Sequence, residues 1–448
     1  MFNIKPEKLI NDNNINLKTL KKFIEAFNNE EVPKLTKLYG RYNRETTDNI
    51  VVNLEKYISD VIVNYTFGKP IQYNNISEEF LNNMTLIDED SHNINLAKDQ
   101  SIFGRGYEYI YLTEEGTIDL VNLNPLNTFV VYSNDIVPKP ILAVYITAEE
   151  DEDGEIEGYT VLCWSESYAY KYYGKELEQL KLIEAVNHYF GRVPVIELKN
   201  NREEKADFSD VVGLIEKYEE LQANRITDKQ QFVDRLLVIT NSSLGDTEEE
   251  FERSKEILKN GGILELNSDD GNVGAQFISQ SFNEAEVETL KKSIEADIFR
   301  LSKIPNLADE NFGNTSSGIS LKYKLFGTEM IAIEKERNFK KLLRERIIII
   351  NNIYNLKNSG MELGDIDIIF TRNIPSSPAE RLQELQGTEG ILSLETRIMR
   401  YDPEIDVVEE IRKIEEEKAN DADLVNRSFS NYVVNQPEEE EEINPEEE

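Results

Sequence analysis

The sequence contains little of the chemistry on which many enzymes rely. It has one cysteine and two histidines in 448 residues. The lone Cys163 excludes an intrachain disulfide, and His92 and His188 leave few candidates for histidine-based catalysis. No GxxxxGK[ST], HExxH, CxxC or GxSxG motif occurs. The sequence therefore predicts no catalytic residue, no metal site and no cofactor.

Long apolar runs are also missing. No uninterrupted apolar stretch of about 18 residues is present, and the N-terminus lacks the charged and apolar pattern of a secretion signal. With a single cysteine, this predicts a soluble protein that is made in a reducing cytoplasm and has no membrane partner.

Basic residues are scarce beside acidic ones. The chain has 49 Lys and Arg against 86 Asp and Glu, a net charge of -37. Tight DNA binding needs clustered cations that face phosphates, so this balance argues against a DNA-affinity protein. Two interpretations stay open, an acidic channel in which DNA can slide and a merely solubilising surface. The acidic stretch 149–157 lacks a full calcium-loop pattern, and we expect a solvated turn there.

The hydrophobic periodicity indicates an α+β fold that is mainly helical. At 448 residues the chain can form two to four structural units. Helices are predicted near residues 1–40, 49–68, 80–100, 206–239, 247–258, 284–301, 319–350, 379–386, 390–399 and 406–418. Strands are predicted at 107–112, 117–121, 128–132, 141–147, 159–163, 167–173, 193–198, 263–266 and 366–370.

One segment joins a polar loop to a long basic helix. Residues 306–318 include glycine and serine residues that favour turns, which predicts a mobile loop. Apolar residues then recur at three- and four-residue steps through Ile350, which predicts a long helix. Residues 318–350 hold eight basic and four acidic residues, a balance of +4. The predicted apolar stripe consists of Ile319, Leu321, Leu325, Phe326, Met330, Ile333, Phe339, Leu342 and Leu343.

This loop and helix, residues 304–346, resemble the tunnel loop and following helix of tailed-bacteriophage portal proteins. The group concerned is that of long-tailed phages of Gram-positive hosts. Residues 42–73, 101–132 and 190–222, which contain GKP and GRGYEY, resemble the same family in the same order. The similar regions extend from about residue 42 to 417, and their ordered combination carries the resemblance.

The resemblance implies a phage portal fold with wing, stem, clip, tunnel-loop helix and helical crown, assembled as a ring. Its parts would be the wing (1–205), first stem helix (206–240), clip (241–282), second stem helix (283–303), tunnel loop (304–318), long tunnel helix with return to the wing (319–378), crown (379–427) and acidic disordered tail (428–448).

The implied function is a dodecameric channel at one capsid vertex, through which double-stranded DNA is packaged and ejected. In the family the packaging motor is a separate terminase, so we expect no enzyme here. The implied partners are further copies of the chain, DNA without sequence specificity, the terminase large subunit, major capsid and scaffolding proteins, and a head-completion or adaptor protein at the clip. The implied locations are the virion and, during assembly, the host cytoplasm.

By the same resemblance, the tunnel loop would line the narrowest part of the channel and contact the DNA backbone. Its DNA-facing residues would be Asp309, Glu310, Asn311, Phe312, Gly313, Asn314, Thr315, Ser316 and Ser317. Lys322 and Lys324 are candidates for contact with phosphate, and the equally open alternative is that they pair with carboxylates of a neighbouring subunit.

Two other classes of protein stay open. A non-viral acidic scaffold or adaptor would share the acidity and the lack of catalytic motifs. An Asp- and Glu-based, metal-dependent nuclease would show cleavage that depends on divalent ions. If the chain does form rings, copies of charge -37 repel each other, so we expect assembly to depend on salt or divalent ions.

Overall fold

The computed structural model describes most of the chain. The described residues are 2–11, 13–44, 52–231, 236–240, 247–259, 274–278, 284–308, 318–357, 360, 363, 366–374, 382, 385–401, 405 and 407–434. They divide into two compact units, Met1–Asn373 and Ile374–Glu448.

Helices supply the larger part of the regular structure in both units. Those of the first unit are Pro6–Leu9, Leu17–Ala26, Val32–Tyr42, Leu54–Phe67, Glu78–Leu86, Glu89–Phe103, Val212–Gln231, Glu248–Lys259, Glu284–Ser302, Gly318–Lys324 and Phe326–Leu356. A π-helical stretch, Phe27–Glu31, and a 3-10 turn, Leu177–Gln179, are also present. The second unit contains Leu394–Tyr401 and Val407–Val434.

Within the described residues, the strands all lie in the first unit and form one large sheet and four small ones. In chain order they are β1 Phe2–Ile4, β2 Ile10–Asn11, β3 Asn14–Ile15, β4 Gln72–Asn74, β5 Arg105–Leu112, β6 Ile118–Leu123, β7 Thr128–Ser133, β8 Pro140–Glu150, β9 Ile156–Trp164, β10 Tyr168–Gly174, β11 Lys181–Asn187, β12 Val195–Lys199, β13 Leu236–Thr240, β14 Gly274–Ile278 and β15 Asp367–Ile369.

The large sheet has the strand order β1-β7-β8-β9-β10-β11, in which β1 is parallel to β7 and the other pairs are antiparallel. The small sheets are β12-β5-β6, β13-β14, β15-β4 and β2-β3. Alternation along β7 and β8 directs Phe129, Val131 and Leu142 to one face, where Leu20 and Phe27 of the N-terminal helices cover them. The N-terminal segment is therefore part of the core of the first unit.

The structure confirms the α+β, mainly helical class. Each strand predicted between residues 107 and 198 is present within a few residues, and so is the strand around Asp367–Ile369. The prediction missed β11, whose residues are exposed or partly exposed along its whole length. A strand without a buried face lacks the strict alternation by which a sequence reveals it.

The predicted helix 206–239 is wrong at both ends. It is the element that the resemblance assigns, with bounds 206–240, to the first stem helix. Residues 206–211 form turns, the helix is Val212–Gln231, and β13 follows and pairs with β14. The run LLVIT in β13 is rich in β-branched residues, and cross-strand pairing satisfies its backbone. The predicted strand 263–266 lies outside the described residues.

Three other predicted elements need correction. The helix 80–100 is two helices, which meet at Asp88 with φ +52°. The long helix is interrupted at Leu325 and then extends to Leu356. The tail predicted as disordered from residue 428 begins within the helix Val407–Val434, and residues 435–448 lie outside the described part. Most of the predicted helix 379–386 also lies outside it.

The helix Phe326–Leu356, here called the long helix, packs on β5, β12 and the helix Leu54–Phe67. Phe339 lies between Phe67 and Phe370, with ring centroids 4.6 and 6.1 Å away. None of the described helices combines the length and the apolarity that crossing a membrane requires.

Candidate functional site

The structure places the two flanks of the predicted loop, while the residues that were predicted to face DNA, 309–317, lie outside the described part of the chain. On the far side, Lys322 and Lys324 belong to the helix Gly318–Lys324, and both are exposed. On the near side, the helix Glu284–Ser302 ends just before Lys303. The site can therefore be described through its flanks.

The two flanks are joined by a direct contact. The hydroxyl of Thr328, which is excluded from solvent, donates a hydrogen bond of 2.9 Å to the carbonyl oxygen of Lys303. Gly327 adjoins the same residue, since a Cβ added there would lie 3.3 Å from the Lys303 Cβ and carbonyl oxygen. Residues 304–327 consequently leave and rejoin the body of the protein at one point.

Tyr57, from the helix Leu54–Phe67, holds the start of this segment. Its hydroxyl donates to the carbonyl oxygen of Pro305 at 2.9 Å and accepts from the backbone N–H of Leu307 at 2.8 Å. Burial raises the pKa of Tyr57, so the hydroxyl keeps its proton. Ile304 is buried beside it. These contacts fix residues 304–307 against the helix Leu54–Phe67.

Arg346 anchors the long helix to β5 and to the helix Glu89–Phe103 through a buried cluster. Its Nε donates to Oε1 of Glu108 at 2.9 Å, and its Nη2 donates to Oδ1 of Asn93 at 2.7 Å. Its Nη1 pairs with Glu89, and Nη2 also pairs with Glu108. A planar guanidinium with several fixed donors suits such a set of acceptors.

The cluster keeps Glu108 ionised in spite of its burial. Burial alone would raise the pKa of Glu108, but Arg346 and the hydrogen bond from His92 outweigh it and hold that pKa at about 2. The His92 Nε2 lies 2.8 Å from Oε2 of Glu108. Because each buried charge has a partner, removing a single member would leave an uncompensated charge in the interior.

Lys335 forms a second buried contact, about two turns from Thr328 along the same helix. Its Nζ lies 2.7 Å from Oδ2 of Asp207 and also donates to the side chain of Asn200. Asp207 in turn accepts from Asn200 at 2.8 Å and from Ser101. Burial lowers the pKa of Lys335, and Asp207 counteracts this shift. This contact joins the long helix to the turns that precede the helix Val212–Gln231.

A third contact joins the long helix to the strand segment that follows it. Arg372 pairs with Glu329 at 2.9 Å and with Glu336 at 2.8 Å, and Tyr65 donates to Glu329 at 2.7 Å. Three ionic contacts thus hold the long helix, in its first turn through Glu329, in its third turn through Lys335 and Glu336, and about two thirds of the way along through Arg346. We infer that the helix is a rigid support for the segment 304–327.

The predicted basic character of the helix divides between two faces. Lys335 and Arg346 point inward and are neutralised by the pairs above, whereas Arg337, Lys341 and Arg344 are exposed. The predicted apolar stripe divides in the same way. Leu325, Phe339, Leu342 and Leu343 are buried, while Phe326, Met330 and Ile333 are exposed. Steps of three and four residues can start on either side of a helix, so the spacing alone did not separate the two faces.

Among the described residues, no group of three or more His, Cys, Asp or Glu side chains is arranged to hold a metal ion. The acidic stretch 151–155 is an exposed turn between β8 and β9, in which Asp151 accepts backbone N–H groups of Asp153 and Glu155 at 2.9 Å. The carboxylate is therefore used to close the turn.

Sequence reasoning missed the residues that frame the site, namely Tyr57, Lys303 and Thr328. Tyr57 looked like one more apolar position of an amphipathic helix, and its contact lies almost 250 residues away in sequence. The one local signal is Gly327-Thr328, a small pair inside an otherwise bulky helix, which is typical of close approach by another backbone.

Comparison with known proteins agrees with the resemblance seen in the sequence. The family described as phage portal protein, SPP1 Gp6-like, matches residues 7–424. The portal protein of Clostridium phage phiCD119 is 24% identical over 443 residues, which cover 92% of this chain and 92% of that protein. The portal protein of Bacillus phage SPP1 is 24% identical over 397 residues, covering 82% of this chain and 76% of that protein.

Solved structures of gene transfer agent (GTA) particles also match. The neck of an empty particle computed with C6 symmetry gives a TM-score of 0.46 at 13% identity, over 83% of this chain and 93% of that chain. The virion of a native particle gives 0.41 at 14% identity, with the same coverage. The family match extends over nearly the whole sequence, which confirms the expected family. The chain belongs to the SPP1 Gp6-like phage portal proteins, a family of structural components of the virion.

Proposed function

We propose that this chain is the subunit of a ring of twelve at one capsid vertex, and that double-stranded DNA is packaged and ejected through the channel of this ring. The family match over residues 7–424 is the observation that supports the proposal most strongly. The structure adds a segment, 304–327, whose ends are held together and whose flanks are rigid, as a loop that projects into a channel requires.

The proposed parts of the subunit follow the described elements. The helices Val212–Gln231 and Glu284–Ser302 form the stem and pack on each other, with Arg225 3.0 Å from Glu288. The strands β13 and β14 pair at the end of the stem. The clip begins with β13 and ends with β14. The helices Leu394–Tyr401 and Val407–Val434 form the crown.

In this proposal the protein acts on DNA by position and charge, without catalysis of its own. Residues Asp309–Ser317 meet the DNA backbone, and Lys322 and Lys324 approach phosphates. Such contacts carry no sequence information, which suits a channel that every part of a genome must pass. The terminase large subunit and the head-completion protein dock at the clip, capsid and scaffolding proteins surround the wing, and subunits assemble in the host cytoplasm.

End-on views of the purified protein in negative-stain electron microscopy test the proposal. We expect rings with a central hole wide enough for duplex DNA, and we expect their yield to change with ionic strength, because subunits of charge -37 repel each other. A protein that stays monomeric in both low and molar salt, or one that cleaves DNA when divalent ions are added, would contradict the proposal.

The proposed phosphate contacts need a separate test. A Lys322→Ala, Lys324→Ala variant should still form rings but should retain less packaged DNA in particles, because two cations per subunit are lost from the channel wall. The matched control is Lys171→Ala with Lys181→Ala, which removes two exposed lysines from β10 and β11 of the large sheet, away from the proposed stem and clip. Equal DNA retention in the test and control variants would refute this role for Lys322 and Lys324.

A further inference from the structure

The long helix and the helix before it carry an exposed apolar stripe. Tyr323, Phe326, Met330 and Ile333 are 80, 64, 51 and 38% exposed, and we call these four residues the outer stripe. They follow each other at steps of three, four and three residues, which is the spacing of a seam that packs on another helix. A contiguous patch of this kind on a folded surface marks an interaction site.

The outer stripe continues into a face of net positive charge. On the same side of the long helix, the next exposed positions are one acidic residue and three basic ones, Glu334, Arg337, Lys341 and Arg344. The opposite side is the buried one, which carries Thr328 and Lys335. In a chain of net charge -37, an exposed basic face is a place where a strongly acidic surface can approach without repulsion.

The helix Glu284–Ser302 presents a surface of the matching kind. Leu290 and Leu301 are each 52% exposed, and they lie three turns apart on one side of this helix. Glu286 is exposed one turn before Leu290 on that side. The opposite side of the helix is occupied within the chain, because Glu288 pairs with Arg225 and Phe299 contacts Tyr57. We call Leu290 and Leu301 the stem stripe.

We propose that the outer stripe of one copy packs against the stem stripe of the next copy, with the basic end of the long helix facing the acidic start of the stem helix. The occupant of this face is thus a second copy of the same chain, and the inference rests on the ring proposed above. Two different, complementary surfaces on one molecule make a head-to-tail contact, and such contacts close into rings when the rotation between copies allows it.

The dimensions of the two surfaces agree. Leu290 and Leu301 are about 16 Å apart along a helix, at about 1.5 Å per residue. Phe326 to Ile333 covers about 10 Å by the same rise, and Tyr323 extends the stripe by one more turn. The surfaces are also opposite in charge, as Glu286 stands beside one and Arg337 beside the other. Two copies that both carry a large negative net charge therefore meet at surfaces of opposite local charge.

Cross-linking between copies tests the contact directly. In a Cys163→Ala background, two single variants, Ile333→Cys and Leu290→Cys, are mixed under ring-forming conditions and treated with a short bis-maleimide. We expect a cross-linked dimer that joins position 333 of one copy to position 290 of another, because Glu286 and Arg337 stand side by side in the proposed contact, and a ladder of oligomers from the double variant. The matched control replaces Leu290→Cys with Ile183→Cys, which lies on β11 and is 61% exposed; this pair should give no ladder.

Substitution supplies an independent measurement. Met330→Asp should leave the far-UV circular dichroism unchanged but raise the protein concentration needed for half-maximal ring formation at least tenfold, whereas Leu182→Asp on β11 should leave it unchanged. Rings that form normally without the 333-to-290 cross-link, or that tolerate Met330→Asp, would overturn the proposed contact and leave the proposed ring intact. A failure of the unmodified protein to form rings would instead refute the proposed function.

Discussion

Thr328 closes the segment 304–327 at its base, because its buried hydroxyl donates a 2.9 Å hydrogen bond to the carbonyl oxygen of Lys303. Thr328→Val keeps the shape of the side chain but removes the donor. We expect the free energy of unfolding to fall by about 1 kcal/mol, the usual net value of such a bond. Urea unfolding measures this loss. Proteolysis within residues 304–327 should also become faster, because the two ends are no longer joined.

The control for this prediction is Thr227→Val. Thr227 donates to the carbonyl oxygen of Ala223 at 3.0 Å on the exposed surface of its own helix, where water can replace the lost donor. Its free energy of unfolding should change by less than about 0.5 kcal/mol. If both variants lose the same stability, the bond from Thr328 has no special role.

Arg346→Met tests the buried cluster that anchors the long helix. The variant leaves Glu89 and Glu108 in the interior without their cation, so we expect a loss of about 3 to 5 kcal/mol in the free energy of unfolding. The matched control is Arg192→Met, because Arg192 pairs with Glu345 of the same helix at 2.6 Å but both side chains are well exposed. That pair should be worth less than about 1 kcal/mol. A small effect at both positions would show that the cluster does not hold the helix.

The same cluster predicts a loss of stability in acid. The pKa of Glu108 is about 2 in the folded protein against 4.5 as its ordinary value, so the folded state binds fewer protons than the unfolded state between those values. The contribution of Glu108 is present above about pH 4.5 and is lost as the pH falls towards 2. Glu108→Gln should be less stable at pH 7 and should show a shallower decline below pH 4.5. Parallel pH curves for both proteins would contradict the assignment.

Two helices were predictable because apolar and charged residues recur along them at steps of three and four residues. The helix Glu284–Ser302 and the acidic helix Glu248–Lys259 agree with their predicted bounds to within one residue at either end. The strands between residues 107 and 198 were predictable for a similar reason, since turn residues separate short β-branched and aromatic runs.

What could not be predicted depends on contacts between distant parts of the chain. Arg346 sits in a run of alternating basic and acidic residues, and nothing in that run distinguishes it from Arg344, yet one is buried and the other exposed. Leu236–Thr240 continued a helical pattern but pairs with a strand nearly 40 residues away. Contacts between distant parts of the chain decide which arginine is buried and whether a segment is a helix or a strand. Local propensity carries no information about those contacts.

Asp99 predicts the opposite pH dependence to Glu108. Burial raises its pKa to about 7 from an ordinary value of 3.8, so the folded protein keeps a proton that the unfolded chain has already released. The contribution of the protonated Asp99 to the stability of the folded protein is complete below about pH 4 and is lost as the pH rises through 7. Asp99→Asn, which is neutral at every pH, should raise the free energy of unfolding at pH 8 by about 1 kcal/mol or more. It should also remove the decline in the free energy of unfolding that the parent protein shows between pH 4 and 7.

Unfolding curves at pH 5 and pH 8, with Asp135→Asn in an exposed loop as the control, measure this difference. A variant that is less stable than the parent at pH 8 would show that the ionised carboxylate has a stabilising partner.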